Sequence, residues 1–248
     1  MHDEKLFWER YWQSRIDYFL KSGNLFEDNF VWGYYSNKNI YQNYKDILGD
    51  IDGLKILEWG AGSGYVSCLA ARDNADMTIM DYSKNAIKYA NIVSKKLKVE
   101  GCVKIIQGDL SDLVSSKKFD VIWGCGVMEH YSDKEIVLKL KEMINLTKGG
   151  GIIISTMPNL NSPEGRYRCF LDLFKNESRS ERILSFKHWI SLFEEAGLKN
   201  VKIVPIDYYV PSFVSGRLAN FISRHIPLTK KHINLAWLFS VVGKVDIL

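Results

Sequence analysis

A glycine-rich turn directly after a short apolar run is the strongest chemical pattern in the chain. Residues 56–64 have the sequence ILEWGAGSG, with glycine at every second position of the turn. Glycine is required where a turn adopts left-handed backbone angles, and where a ligand has to contact bare peptide. At a junction between a strand and a helix this spacing predicts a ligand cradle, although a glycine-rich turn also occurs as a purely structural feature.

An acidic residue follows the turn at the distance expected of a ribose-binding group. Asp81 ends the next strand-like run, Asp76–Asp81, and a carboxylate there accepts hydrogen bonds from both hydroxyls of a ribose. A solvated aspartate at a strand end is the plainer alternative. The spacing disfavours a nicotinamide dehydrogenase, because its GxGxxG motif requires glycine where this chain has Tyr65.

From Leu54 onward, short β-branched runs alternate with helix-period segments, which is typical of βαβ units and an α/β fold. Seven strands are predicted, at Leu54–Trp59, Asp76–Asp81, Val103–Gln107, Phe119–Gly124, Gly151–Thr156, Val201–Ile206 and Phe239–Ile247. Helices are predicted at Tyr65–Arg72, after an N-cap at Ser83, from Asp133 to the glycines at 149 and 150, and at Lys187–Ala196 before Gly197.

The chain is long enough for one large domain, 1–248, and two catalytic domains would be crowded. Residues 1–53 are predicted to form an N-terminal helical cap, with a helix over Glu4–Lys21 and an aromatic loop over 30–35. Residues 54–206 are predicted to form the cofactor-binding core. Two long connections, 158–186 and 210–238, leave from the carboxyl ends of strands, where open α/β sheets bind ligands, and are expected to be substrate-side insertions.

The glycine turn and three acids together resemble the cofactor site of class I S-adenosylmethionine-dependent methyltransferases. The resemblance implies a Rossmann-like doubly wound sheet, mostly parallel with an antiparallel last strand, and helices on both faces. It implies that Glu58 opens the motif, that Asp81 holds the ribose and that Asp109 approaches the adenine amino group. Asp109 also fits an N-cap, and both roles are compatible. The implied S-adenosylmethionine contacts are Glu58, Gly60, Ala61, Gly62, Gly64, Asp81, Tyr82, Asp109, Leu110, Gly124 and Cys125.

The segment after the fourth strand, Gly124–Tyr131, resembles the loop of small-molecule methyltransferases of the ubiquinone-biosynthesis type, which lies against the cofactor and the acceptor. For a hydroxyl acceptor, His130 is the candidate general base, because histidine titrates near neutral pH. Positioning of the acceptor and anchoring of the loop stay open as its alternatives. Glu129 either holds the loop or pairs with a cationic ligand. Tyr131 and Tyr34 are candidate acceptor contacts, and Tyr34 equally fits a packing role.

The charge balance permits an anionic partner without requiring one. The net charge is +4, and the connection 210–238 carries Arg217, Arg224, Lys230 and Lys231 with no acidic residue. The hypothesis is therefore an anionic acceptor, phosphorylated, nucleotide-linked or lipid-linked at a membrane surface, with Arg217 as a contact. A solvated basic surface is the alternative. The N-terminus does not resemble a secretory signal and the longest apolar run is too short for a bilayer, so a cytoplasmic location is expected.

Other functions have weaker support. A nucleic-acid methyltransferase is disfavoured because no amino-methylating motif follows the fourth strand, and no RNA-binding module is apparent. A protein acceptor and a non-catalytic S-adenosylmethionine-binding scaffold stay open. The GxSxG elbow of hydrolases, Walker-A and HExxH patterns are absent from the sequence. No metal site is expected, since the four cysteines have no zinc-type spacing. Acceptor atom and oligomeric state are not determined.

Overall fold

The computed structural model of the chain describes residues 2–26, 34–113, 118–159, 162, 165, 166, 182, 184–208 and 236–247. Its centre is a seven-stranded sheet in the order β3-β2-β1-β4-β5-β7-β6. The strands pair in parallel except β7, which is antiparallel to both β5 and β6. Their bounds are β1 Lys55–Trp59, β2 Asp76–Asp81, β3 Val103–Gln107, β4 Phe119–Cys125, β5 Thr147–Pro158, β6 Lys199–Tyr208 and β7 Ala236–Lys244.

Six helices cover the two faces of this sheet within the described ranges. They are α1 His2–Ser22, α2 Tyr34–Leu48, α3 Tyr65–Arg72, α4 Lys84–Lys96, α5 Asp133–Leu146 and α6 Phe186–Ala196. The first four share one apolar core with the sheet, around Tyr44, Tyr89 and Trp123. Helices α5 and α6 share the other core, around Leu140 and Phe193. The predicted α/β fold, with helices on both faces and an antiparallel last strand, is confirmed.

The first four predicted strands match the structure closely. Strands β1, β2 and β4 are short apolar runs that are buried almost throughout, and β3 is a partly buried strand at the edge of the sheet. Ser83 caps α4 as predicted, accepting a hydrogen bond from the backbone nitrogen of Ala86 at 3.1 Å. Gly197 ends α6 in the left-handed conformation, with φ of 108°. These features depend on local sequence alone, which is why they are predictable.

The predicted end of α5 was wrong. The helix ends at Leu146, and Thr147 is already extended and begins β5, four residues earlier than predicted. The glycines at 149 and 150 therefore belong to the strand and do not cap the helix. A side chain is excluded at Gly151, because a Cβ atom there would lie 2.7 Å from the carbonyl oxygen of Asp120 on the neighbouring strand. Strand β7 also begins earlier than predicted, at Ala236.

Helix α2 is absent from the sequence-based prediction, and part of its span was assigned to an aromatic loop. A buried chain of hydroxyl groups attaches this helix to the sheet. The Tyr44 hydroxyl lies 2.9 Å from Thr156 Oγ1, which lies 2.7 Å from Ser240 Oγ. Ser240 in turn donates to Asn43 Oδ1 at 3.1 Å. Because buried polar groups need partners, this chain fixes α2 against β5 and β7.

No helix in the described part of the chain combines the length and apolar character that crossing a bilayer requires.

The hydroxyl chain predicts the effect of substituting its central member. Ser240→Ala leaves Thr156 and Asn43 each without one buried partner, so we expect a loss of about 1–3 kcal/mol in the free energy of unfolding. Urea denaturation followed by circular dichroism measures this change. The matched control is Ser191→Ala on the exposed side of α6, which should change stability by about 0.5 kcal/mol or less. Equal effects of the two substitutions would contradict the structural role of the chain.

Candidate functional site

A cavity of about 1030 Å³ opens at the carboxyl ends of β1, β2 and β4. The glycine turn after β1 forms its floor, Asp81 and the segment 107–109 form one side, and the loop 125–131 forms the other. The side chains of α1 close it from above, and α5 contributes its rim. In an open α/β sheet this edge is where ligands bind. The structure therefore brings most of the predicted site residues to one cavity.

The glycine turn has the backbone that its sequence predicts. Gly60, Gly62 and Gly64 have φ values of 63°, 52° and 61°, in the left-handed region that favours glycine. A Cβ atom at Gly62 would overlap the indole ring of Trp12, and one at Gly60 would lie 2.6 Å from Val127. The turn thus presents bare backbone to the cavity, packed tightly against two other elements.

Asp81 fastens this turn to the end of β2. Its Oδ2 accepts a hydrogen bond from the backbone nitrogen of Gly62 at 2.9 Å, and its Oδ1 accepts from that of Ser83 at 2.8 Å. Asp81 as a whole is only 6% exposed. Burial raises the pKa of Asp81 to about 6, against the opposing effect of the two backbone hydrogen bonds.

Glu58 is a second buried carboxyl group facing the cavity. It accepts a 2.5 Å hydrogen bond from the Ser67 hydroxyl, and burial raises its pKa to about 7. Two desolvated acids beside a cavity favour a cationic or hydroxyl-bearing ligand, because such a ligand stabilises their ionised forms. Burial likewise raises the pKa of the Cys125 thiol, which leaves it neutral.

Asp109 lines the cavity after β3, and Trp59 lies between it and Tyr131 of the loop after β4. It caps the 3₁₀ turn Leu110–Asp112 in a reciprocal pairing with Asp112, which confirms the N-cap prediction. Its Oδ1 also accepts from the Trp59 indole at 3.0 Å, and its Oδ2 accepts from Lys139 at 2.9 Å. Burial opposes ionisation, but these bonds and the ammonium charge lower the pKa of Asp109.

The loop after β4 places a histidine against the aromatic surface of α1. His130 ends the 3₁₀ turn Met128–His130, and its ring packs edge-on against Trp8 at 5.6 Å between centroids. Burial lowers the pKa of His130 to about 4, so the ring is neutral at pH 7. The adjacent Glu129 is 2% exposed and lines the same cavity.

Arg182 holds this loop from outside. Its backbone nitrogen donates to the carbonyl oxygen of Glu129 at 2.9 Å, and its guanidinium donates to that of Tyr131 at 2.9 Å. The same guanidinium pairs with Asp133 at 2.7 Å, at the start of α5. The loop is therefore fixed by the connection between β5 and α6, which was predicted to be a substrate-side insertion.

Helix α1 is the part of the site that sequence reasoning missed. Trp8, Tyr11, Trp12 and Arg15 line the cavity, but the predicted helix was assigned only to a cap. Glu9 holds it in place by accepting from the backbone nitrogens of Lys84 and Asn85 at 2.8 and 3.2 Å. The signal available in the sequence was the row of aromatic residues at helical spacing, because it makes the helix more apolar than a helix on the protein surface needs to be.

Eleven of the predicted site residues line the cavity: Glu58, Gly60, Ala61, Gly62, Asp81, Tyr82, Asp109, Cys125, Glu129, His130 and Tyr131. Three others lie behind its wall. Gly64 begins α3 against Ile79, Leu110 is buried in the core shared with α5, and Gly124 lies within β4 beside the Trp59 carbonyl oxygen. The side chain of Tyr34 and all of Arg217, Arg224, Lys230 and Lys231 lie outside the described residues. In the described ranges no cluster of three potential ligands is placed for a metal ion.

The chain is similar to known methyltransferases in both sequence and structure. The profile of the methyltransferase-domain family matches residues 50–197. A ubiquinone biosynthesis O-methyltransferase of Pelagibacter ubique is 30% identical over 125 residues, which are 50% of this chain and 51% of that protein. The chain thus spans about half the length of this relative.

Two solved structures show the same fold. A SAM-dependent methyltransferase from Thermotoga maritima aligns with a TM-score of 0.61 at 18% identity, covering 96% of this chain and 97% of that one. Magnesium protoporphyrin IX methyltransferase from Synechocystis, with bound SAH, aligns with a TM-score of 0.58 at 13% identity over 86% and 83% of the two chains.

The cavity combines a glycine-rich turn with an acid at the position of a ribose-binding residue, at the edge of a Rossmann-like sheet. This combination defines an α/β protein that binds a nucleotide cofactor. The chain belongs to the methyltransferase-domain family, whose cofactor is S-adenosylmethionine. The described residues fit this cofactor. The left-handed turn leaves backbone open to it, Asp81 suits the ribose hydroxyls, and the buried acids suit its positive charge.

The environment of His130 predicts how its ring titrates. Because burial disfavours the imidazolium, we expect the ring to stay neutral until the pH approaches about 4. The unfolded chain binds a proton near pH 6.5, so this group's contribution to stability is complete above that pH and is lost as the pH falls. Proton–carbon NMR of the histidine ring, assigned with His130→Gln, measures the titration. A midpoint near 6.5 in the folded protein would contradict the buried geometry.

Proposed function

We propose that this protein transfers the methyl group of S-adenosylmethionine to a small acceptor. The observation that carries this proposal is the common cavity of the glycine turn, Asp81, Asp109 and the His130 loop. S-adenosylmethionine supplies an electrophilic methyl group on a sulfonium. The task of the chain is to align the acceptor atom with that methyl group and to exclude water.

The cofactor-holding roles follow from position in the cavity. The carboxylate of Asp81 accepts from ribose hydroxyls with lone pairs that its two backbone bonds do not use. Arg15, on the inner side of α1, suits the carboxylate of the amino-acid moiety, because a guanidinium binds a carboxylate in a fork geometry. Trp12 covers the glycine turn and keeps water from this half of the cavity.

The acceptor half of the cavity has aromatic walls and one neutral imidazole. Trp8, Tyr11 and Tyr131 line it beside His130, and such walls favour a planar or apolar acceptor. A neutral imidazole accepts a hydrogen bond from a hydroxyl group and so orients its oxygen. With a pKa of about 4, His130 is a weaker base than an ordinary histidine, so orientation is its main contribution. The name of the Pelagibacter relative supports oxygen as the methylated atom.

Cofactor binding tests this proposal directly. We expect S-adenosylhomocysteine to bind the wild-type protein, and Asp81→Asn to weaken binding about 10- to 100-fold, because a charged acceptor of ribose hydroxyls is lost. Isothermal titration calorimetry measures both affinities, and melting curves establish that the variant is folded. Asp76→Asn, at the exposed beginning of the same strand, is the matched control. Failure of the folded wild-type protein to bind would overturn the proposal.

The charge of the segment after β6 is the basis for the proposed chemistry of the acceptor. Four basic residues without an acidic neighbour, Arg217, Arg224, Lys230 and Lys231, follow β6 in the sequence. The carboxyl end of β6 lies at the same sheet edge as the cavity, because β6 runs parallel to β5. The position of these charges in the sequence after that strand end supports an anionic acceptor, such as a phosphorylated, nucleotide-linked or lipid-linked metabolite. A cytoplasmic location stays a prediction.

A charge-reversal experiment separates recognition of an anion from a solvated basic surface. Phosphorylated acceptors and their uncharged analogues are screened with methyl-labelled S-adenosylmethionine. For an active pair, Arg217→Glu with Arg224→Glu should lower kcat/KM for the charged member about tenfold or more and leave the uncharged member within about twofold, because only the charged one loses its ion pairs. Lys95→Glu, in the last turn of α4, is the control. Equal losses for both acceptors would contradict an anionic acceptor.

A further inference from the structure

The loop after β4 is held by a residue that lies behind the wall of the cavity. Glu129, His130 and Tyr131 are among the described residues that line the cavity, and Arg182 is not. Two backbone hydrogen bonds within the loop, from the nitrogens of His130 and Tyr131, are long, at 3.3 and 3.2 Å. The two hydrogen bonds from Arg182 to the loop are each 2.9 Å, which is the better geometry.

The two carbonyl oxygens that Arg182 binds lie on either side of His130 in the chain. Its backbone nitrogen donates to the carbonyl oxygen of the preceding residue, Glu129, and its Nη1 donates to that of the following residue, Tyr131. These bonds restrict the backbone on both sides of the histidine. The rotamer of a side chain depends on the backbone angles of its residue, so the direction of the imidazole is restricted as well.

The guanidinium of Arg182 is itself fixed by contacts with two helices. Its Nη1 donates to Asp133 Oδ1 at 2.7 Å, and Asp133 Oδ2 lies 3.0 Å from His188 Nε2. Asp133 begins α5 and His188 lies in the first turn of α6, and both helices pack in one apolar core. The hydrogen bond from Arg182 lowers the pKa of Asp133. The loop is therefore tied through one charged pair to a packed part of the protein.

We propose that Arg182 is a positioning residue for methyl transfer, which holds His130 and Tyr131 in the orientation that faces the acceptor. This inference rests on the proposed function, because that function makes the loop after β4 the wall of the acceptor site. Arginine suits the role, since one planar guanidinium donates at once to a carbonyl oxygen and to a carboxylate. Loss of the side chain removes the bond to Tyr131 and leaves the backbone bond to Glu129, so the loop loosens at one end.

The titration of the His130 ring reports whether the loop keeps its position, because the pKa of this ring is low only while the ring is buried. Proton–carbon NMR should show a midpoint of about 4 in the wild-type protein. In Arg182→Gln we expect a midpoint about one pH unit higher, because a loosened loop lets water reach the imidazole. Calorimetry should show that S-adenosylhomocysteine binds both proteins with affinities within about twofold, because Arg182 acts on the acceptor side of the cavity.

Two further variants separate positioning from folding, and melting curves establish that each is folded. Arg182→Lys keeps a cation without the planar fork and should raise the midpoint about half as much. Lys187→Gln removes an exposed charge from α6 and should leave the midpoint within about 0.2 pH unit.

An unchanged midpoint in folded Arg182→Gln overturns the inference, and so does an equal rise in Lys187→Gln. If Arg182→Gln does not fold, an unchanged midpoint in Arg182→Lys overturns it. A loss of about tenfold or more in the affinity of Arg182→Gln for S-adenosylhomocysteine contradicts a role confined to the acceptor side. The NMR comparison needs no ligand. Failure of the wild-type protein to bind S-adenosylhomocysteine is therefore a separate result, which overturns the proposed function.

Discussion

The hydrogen bond from the Gly62 nitrogen to Asp81 is the interaction on which the site depends. It joins the glycine turn after β1 to the end of β2, and it does so inside the protein, with the carboxyl group almost fully buried. A buried carboxyl group is costly unless it is hydrogen-bonded, so the two backbone donors and the position of the turn are mutually required. The same carboxylate accepts a hydrogen bond from the backbone nitrogen of Ser83, the N-cap residue of α4. One side chain therefore links two strands and a helix.

Helix α1 covers the cavity that opens at the edge of the sheet. The indole of Trp12 lies over Gly62 because glycine leaves room for it, and Glu9 accepts from the backbone nitrogens of Lys84 and Asn85, directly after Ser83. The covering helix thus contacts the elements that Asp81 organises. Burial raises the pKa of Glu58 and Asp81 and lowers that of His130, whose ring packs against Trp8 of this helix. The cavity therefore has two buried acids that favour a cation and one neutral imidazole.

Two parts of the cavity wall are fixed by different means. The loop of Glu129 and Tyr131 is held by Arg182 through two carbonyl oxygens. Asp109 is held by the Trp59 indole and Lys139. An exposed ion pair contributes little to stability, but the pair of Lys139 with Asp109, like the hydrogen bonds from Arg182, orients groups that line the cavity. These contacts therefore act mainly by fixing the positions of side chains, and contribute less to the free energy of unfolding.

The sequence by itself determined the α/β class, the order of the strands along the chain, the glycine turn and the acids at the strand ends. These features are local, because a strand buried on both faces needs a continuous apolar run and a left-handed turn needs glycine. Only the tertiary structure decided that Trp12 covers Gly62, that Lys139 pairs with Asp109 and that Arg182 holds the Glu129 loop. Each of these contacts joins elements that are distant in sequence, so no residue spacing encodes it. Helix α2 was not predicted for the same reason. Its position depends on contacts with buried hydroxyl groups of β5 and β7, which are distant in sequence.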